Sequence, residues 1–196
     1  MCYNTCIAYT GPFDQLTRCP ICPERKSRYT IVGGKRVPRR TFSTFPVGPQ
    51  LQVLRSSPET AELMQHRRNV TRELRARGGV VTEIDDLFQG RLYYEEVEAK
   101  NITDDDMVLM LSIDGAQLYA SKGSDCWFLI WVVFELPPEH RYKKRFVLPA
   151  GVISGPNKPK LMDSFLYPTF YHIRAIQREG LRVYDAVQAR IMQQNL

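Results

Sequence analysis

Apolar positions crowd into the second half of the chain. Met107 to Ile113 reads MVLMLSI, Cys126 to Leu136 reads CWFLIWVVFEL, and Arg145 to Ile153 reads RFVLPAGVI. Short runs that are continuously apolar, or rich in aromatic and β-branched residues, predict strands, and the first reads as a central one. Pro137-Pro138 is expected to end the second sharply, and Pro149 marks the third as bulged or at an edge. A helix is predicted from about Lys160 to Arg178, irregular at Pro168 and closed by Gly180. Leu181 to Tyr184 reads as a fourth short strand and the last residues as helical. Three linked strands and then a crossover helix predict an α/β mixed sheet that starts as an antiparallel meander.

The first half is more polar. Tyr29 to Val32 and Arg40 to Phe45 predict the arms of a hairpin with Gly33-Gly34 in its turn. A helix is predicted from Pro58 to Arg77, with Ser57 as its cap, Glu59 near its positive end and Gly78-Gly79 as its stop. Its apolar face is thin (Leu63, Val70, Leu74), and Arg67, Arg68, Arg72, Arg75 and Arg77 cover much of the rest. Such a helix is either a solvated linker or one that leans on a partner or on nucleic acid.

Charge divides the chain further. Residues 1–80 hold 14 Lys/Arg against 5 Asp/Glu, residues 81–106 hold 2 against 9, and residues 107–196 hold 11 against 7. With the hydrophobic pattern this suggests three parts: a cysteine-rich segment and basic turn over 1–50, a helical and acidic linker over 51–106, and a sheet-forming part over 107–196. A basic head attracts phosphate backbones, although solubilising charge gives the same count. The longest apolar run, Trp127 to Phe134, is strand-sized, so no membrane association is expected. No basic-then-apolar leader is visible, and secretion is not expected.

The cysteines change the picture most. Three residues separate Cys2 from Cys6, two separate Cys19 from Cys22, and twelve lie between the pairs. Four thiolates fill the tetrahedral shell that zinc prefers and leave no position for water, which makes the expected Zn2+ structural. Cys19-Pro-Ile-Cys22 alone also fits a redox dithiol. Cys126 reads as a buried small hydrophobe. Asp114 follows an apolar strand and precedes Gly115, so it should emerge at the strand's end. There it is either a turn residue or one ligand of a divalent metal that handles phosphodiesters. Asp163, Asp185 and Glu135 are the candidate second acids. Arg36, Arg39, Arg40, Lys143, Lys144 and Lys158 are the candidate phosphate contacts, positioning rather than sequence-reading.

Several stretches together resemble CACTA-type (En/Spm-like) DNA transposases, in particular those of fungi: CYNTCIAYTGPF, CPIC with its basic turn, TFSTFPVGPQLQ, LSIDGAQLYASKGSDCW, ELPPEHRYKKRFVLPAGVISGPNKPK and DSFLYPTF. They occur in order and cover most of residues 2–185. The resemblance implies a zinc-type module ahead of a ribonuclease-H-like core that cuts element ends and joins them to new DNA with Mg2+ or Mn2+. By it, Asp114 matches the aspartate of the first core strand, and the strands beginning at Cys126 and Arg145 match the second and third. It further implies double-stranded DNA as partner, self-association as an option and the nucleus as location. The family's later acidic residues have no equivalents here, so the chain is expected to be a C-terminally incomplete fragment, inactive alone. The alternatives are a non-enzymatic zinc-stabilised DNA-binding module and a non-functional remnant.

Overall fold

The computed structural model describes residues 1–117, 125–155 and 157–196. It is a mixed α/β chain with several antiparallel strand pairings. Two compact units emerge, each assembled from three stretches. The first comprises Met1–Pro46, Leu111–Ile130 and Pro149–Arg174, and the second Val47–Met110, Trp131–Leu148 and Ala175–Leu196. The two units interleave along the chain.

In the first unit, β1 (Tyr29–Val32) pairs antiparallel with β2 (Lys35–Pro38), in register Val32↔Lys35. The expected second arm, Arg40 to Phe45, is thus wrong by about five residues. Gly33 and Gly34 both take positive φ, 55° and 76°, which fits a two-residue hairpin turn and closes the arms immediately. Ser43–Thr44 becomes β3, paired with β6 (Leu148–Ser154) as Ser43↔Val152 and Thr44↔Gly151.

The four-stranded sheet runs β3-β6-β5-β4, with β4 at Leu109–Gln117 and β5 at Asp125–Val133. The three apolar runs therefore lie side by side in chain order, as a meander requires. β4 ends the row among the described strands, which corrects its reading as a central strand; none of its residues is fully buried. β6 is interior, yet Pro149 fits because it lies outside the two-residue register of β3. β5 stops at Val133, before Pro137-Pro138, which open the short α5 (Pro138–Arg141) instead. The polar connection expected over 115–125 is shorter, because Gly115 to Gln117 extend β4; its residues 118–124, Lys122 included, lie outside the described residues. The helix α6 (Met162–Glu179) carries Pro168 inside it, as expected.

The second unit begins with α1 (Val47–Ser56), a helix for which the sequence pattern gives no signal. Pro49 is tolerated because first-turn N–H groups have no helical partner. The single helix expected over 58–77 is two, α2 (Pro58–Leu63) and α3 (His66–Ala76). The break at Met64, itself fully buried, lets α3 turn Arg67 inward. Ser57 caps α2 with its backbone carbonyl, which accepts from Ala61 N–H, and its side chain makes no cap bond. Gly78 and Gly79 end α3 at positive φ, with Gly79 N–H donating to Leu74. In the same unit α4 (Arg91–Glu98) helps enclose Phe88, whose ring lies 4.9 Å from Tyr93 and edge-on to Phe134.

Gly180, at φ 73°, closes α6 and leads into β7 (Leu181–Asp185). The residues expected to be helical form β8 (Arg190–Gln194), antiparallel to β7. The reason lies in the turn. Asp185 accepts N–H bonds from Val187 and Gln188, and Ala189 takes a left-handed φ of 52°, so the chain reverses before a helix can start.

Candidate metal centre

The two cysteine pairs converge. The sulfurs of Cys2, Cys6, Cys19 and Cys22 all lie within 4.8 Å of one another, and all four residues are buried. Tetrahedral zinc–thiolate geometry sets sulfurs about 3.8 Å apart, so this is the spacing of a collapsed ligand set. Each pair is bent by its own backbone. Cys2 N–H donates to Ile7 O at 2.9 Å, and Thr5 takes a left-handed φ of 57° to turn the chain between the sulfurs. The second pair sits on a loop pinched by the antiparallel bridge Arg18↔Ser27, with Arg25 N–H donating to Cys22 O.

The same turns aim amides at sulfur. The backbone amides of Ile21 and Cys22 favour a thiolate at Cys19 and those of Asn4 and Cys6 one at Cys2, while the Asn4 side-chain amide donates to the Cys22 sulfur at 3.6 Å. Burial opposes a thiolate at Cys2, yet these amides and the neighbouring thiols outweigh it and lower its pKa. Burial beside Cys2 and Cys19 pushes the Cys6 thiol up to about 12, and burial also raises Cys19. A divalent cation reverses that balance by displacing the protons. All four cysteines are free thiols. The cluster can hold a metal such as zinc, and its donor set, four sulfurs with amides behind two of them, fits a closed structural site.

The base of the centre comes from distant residues. Leu161 N–H donates to Cys6 O, Ala8 N–H to the Ser164 hydroxyl, and the Thr10 hydroxyl to the Ser164 carbonyl. Ile7, Tyr9, Phe13, Leu16 and Leu161 pack around the sulfurs. Nothing in the local sequence linked residues 161–164 to the cysteines. Cys126 is buried on β5 and apart from the cluster, as expected.

Asp114 is exposed, but it is the sixth residue of β4 rather than a residue beyond its end. One carboxylate oxygen accepts the N–H of Gly115 at 2.8 Å. It lines a shallow cavity with Gly115, Ala116, Gln117 and Trp127, and none of these is a second acid. A β-carbon on Gly115 would stand 3.1 Å from the Trp127 indole, so glycine lets that ring lie against the strand. Among the described residues, the only group of three or more potential ligands placed to share a metal is the four cysteines.

The other acids are engaged elsewhere. Asp185 is fully buried and paired with Arg55 at 3.1 Å. Glu135 is fully buried in the turn after β5, accepting from Arg67 at 2.9 Å and from Val108 N–H at 3.0 Å. Asp163 is exposed in the first turn of α6. Of the carboxylates 104–106, Asp106 accepts from Thr103 and Asp105 faces Arg68 at 3.7 Å.

Among the basic candidates, Arg36 is exposed and stacks over Tyr29 at 3.9 Å, and Arg39 donates to Ser27 O. Arg40 is more engaged: its guanidinium donates to the carbonyls of Tyr3, Ser154 and Gly155. Lys158 lies over Trp127 at 5.3 Å. These four belong to the first unit, whereas Lys143 and Lys144 are exposed on the second. Comparisons with protein-family models, curated proteins and solved structures find no match to this chain.

Proposed function

We propose that this chain is a zinc-stabilised module that binds duplex DNA, joined to the first part of a ribonuclease-H-like core of the CACTA-transposase kind, and that it does not cut DNA by itself. The observation that carries the reading is four converging sulfurs in a unit whose sequence holds 12 Lys/Arg against 5 Asp/Glu, a net +7. The other unit holds 15 against 16, a net −1. A cross-linked metal lobe gives such a charged unit the folding energy it otherwise lacks.

Three neighbouring strands in chain order followed by α6 support the ribonuclease-H-like assignment, as do the quoted motifs. In that assignment Asp114 is one ligand of a Mg2+ or Mn2+ pair, and among the described residues no second carboxylate is placed to share a metal with it. Duplex DNA in the nucleus is the partner, held by its phosphates, with Arg36, Arg39 and Lys158 as positioning contacts.

The test couples metal content to binding. Purified chain should carry one zinc, and its affinity for a mixed-sequence duplex should fall steeply with salt, with a log–log slope of about −0.9 per phosphate neutralised. With Mg2+ or Mn2+ added, no nicking should appear. A metal-free folded protein, or a flat salt dependence, defeats the proposal. Nicking that vanishes in Asp114→Asn would show the chain to be a complete nuclease instead.

A further inference from the structure

The hairpin β1–β2 is a sheet of its own, separate from the four-stranded one, and lies wholly within the first unit. None of its residues is buried, and Ile31 through Arg36 form an unbroken exposed run. A β-carbon built on Gly33 or Gly34 would meet no atom within 4 Å, so the tip projects into open space. A free two-stranded ribbon is at best marginally stable in water, and this one is held at its foot. Arg28 N–H donates to Thr17 O, and Arg39 donates to Arg28 O through its N–H and to Ser27 O through its Nε. The Arg18↔Ser27 bridge ties that foot to the loop that carries Cys19 and Cys22. Above it the Arg36 guanidinium lies 3.9 Å over the Tyr29 ring and braces one strand on the other.

The tip is apolar and uncovered: Ile31 is 67% exposed and Val32 61%. Neighbouring residues of a strand point to opposite faces. Ile31 therefore looks out on one side of the ribbon and Val32 on the other. A flat partner surface covers one of them, whereas a cleft with two walls covers both. The register sets a cation across from each, Arg36 opposite Ile31 and Lys35 opposite Val32. Residues 25–40 hold seven Lys/Arg, and no Asp or Glu stands between Glu24 and Glu59. Both walls of the cleft must then be anionic, and its floor must accept methyl groups.

The major groove of duplex DNA has that chemistry. Phosphates line its edges, thymine methyls lie on its floor, and at about 12 Å wide it admits a two-stranded ribbon. The minor groove, about 6 Å wide, is too narrow. We propose that β1–β2 enters the major groove tip first, with Ile31 and Val32 against base edges and Lys35 on a phosphate. This rests on the duplex-binding reading above and names the element that carries it.

Duplex affinity of the zinc-loaded full chain would be measured against salt for the parent and two variants. Ile31→Ser combined with Val32→Ser leaves the charge unchanged. Affinity should fall about tenfold or more at an unaltered salt slope, the loss expected when two β-branched side chains stay in water. Lys35→Ala should instead make the log–log slope shallower by about 0.9. All three positions are exposed, and unchanged zinc content and circular dichroism verify the fold. In the parent, methylation of guanine N7, an atom that faces the major groove, should block binding at particular positions.

A serine variant as tight as the parent, or N7 methylation without effect, overturns the ribbon's role and leaves DNA binding standing. A parent that binds no duplex overturns both. A serine variant that keeps its duplex affinity but turns a dimer into a monomer in sedimentation assigns the tip to a second copy of the chain, and the proposal fails.

Discussion

The first unit buries all five cysteine thiols and, among the described residues, no charged side chain. The second buries Arg55, Arg67, Asp86, Glu135, Arg141 and Asp185. The two units therefore use charge in opposite ways. In the second, arginines are structural. Arg67 reaches Glu135, the Tyr93 hydroxyl and the carbonyls of Thr103, Asp104 and Asp106, while Arg141 holds Asp86 with two hydrogen bonds of 2.8 and 3.0 Å. Even exposed arginines find local partners, Arg75 of α3 with Glu98 and Arg77, just after the helix, with Glu73. The acidic stretch and the arginine-rich helix largely neutralise each other inside one unit. The first unit keeps its positive charge out of its core.

The largest effect should come from the metal. Stripping the cysteine lobe with a chelator, or Cys19→Ser, removes a term worth about 10–16 kcal/mol in isolated zinc modules. Slow amide exchange should vanish over residues 1–28 and persist around Phe88. Equal loss in both regions would erase the contrast between them.

Next is Arg67→Met, which strands Glu135 in the core and should cost about 3–5 kcal/mol in urea unfolding. Adding Glu135→Leu should return most of that, because removing both charges removes the desolvation penalty with the attraction. A single variant within ~1 kcal/mol of the parent would mean that the ion pair contributes little.

The smallest effect is with pH. Burial works to raise the Asp86 carboxyl, but hydrogen bonds from Arg141 and from His66, the latter at 2.8 Å, outweigh it and hold the group below its ordinary value. A lowered folded pKa contributes stability that is fully present above the unfolded value, about 4. That stability is lost as pH falls further, through the folded value. Asp86→Asn should therefore be less stable than the parent at neutral pH, with the gap closing below about pH 4. A gap constant down to pH 2 would show that the carboxylate's charge is not what counts.

What could be read beforehand was whatever a local rule governs. The pairing of cysteines, the helix closed by Gly180 and the turn at Gly33-Gly34 each depend on a few adjacent residues. What could not be read depends on partners far along the chain. Arg67 looked like one more solvated arginine until Glu135, 68 residues away, gave it a reason to be buried. β8 looked helical because its pairing with β7, not its own composition, decides its conformation. Asp114 was correctly singled out as exposed, but its place within β4 followed from how far the strand extends, which the apolar run did not reveal.

The floor of the cysteine lobe has a consequence for biosynthesis. All four clustered cysteines lie between residues 2 and 22, while Leu161 and Ser164, which bond to Cys6, Ala8 and Thr10, are made more than 130 residues later. At ribosomal speeds of roughly 5–20 residues per second, the thiols wait for several seconds or more before their support emerges. A metal such as zinc, which the four sulfurs can hold, could thus be taken up before the rest of the unit is made, and without it a nascent chain would present four unprotected sulfurs to the cell throughout that interval.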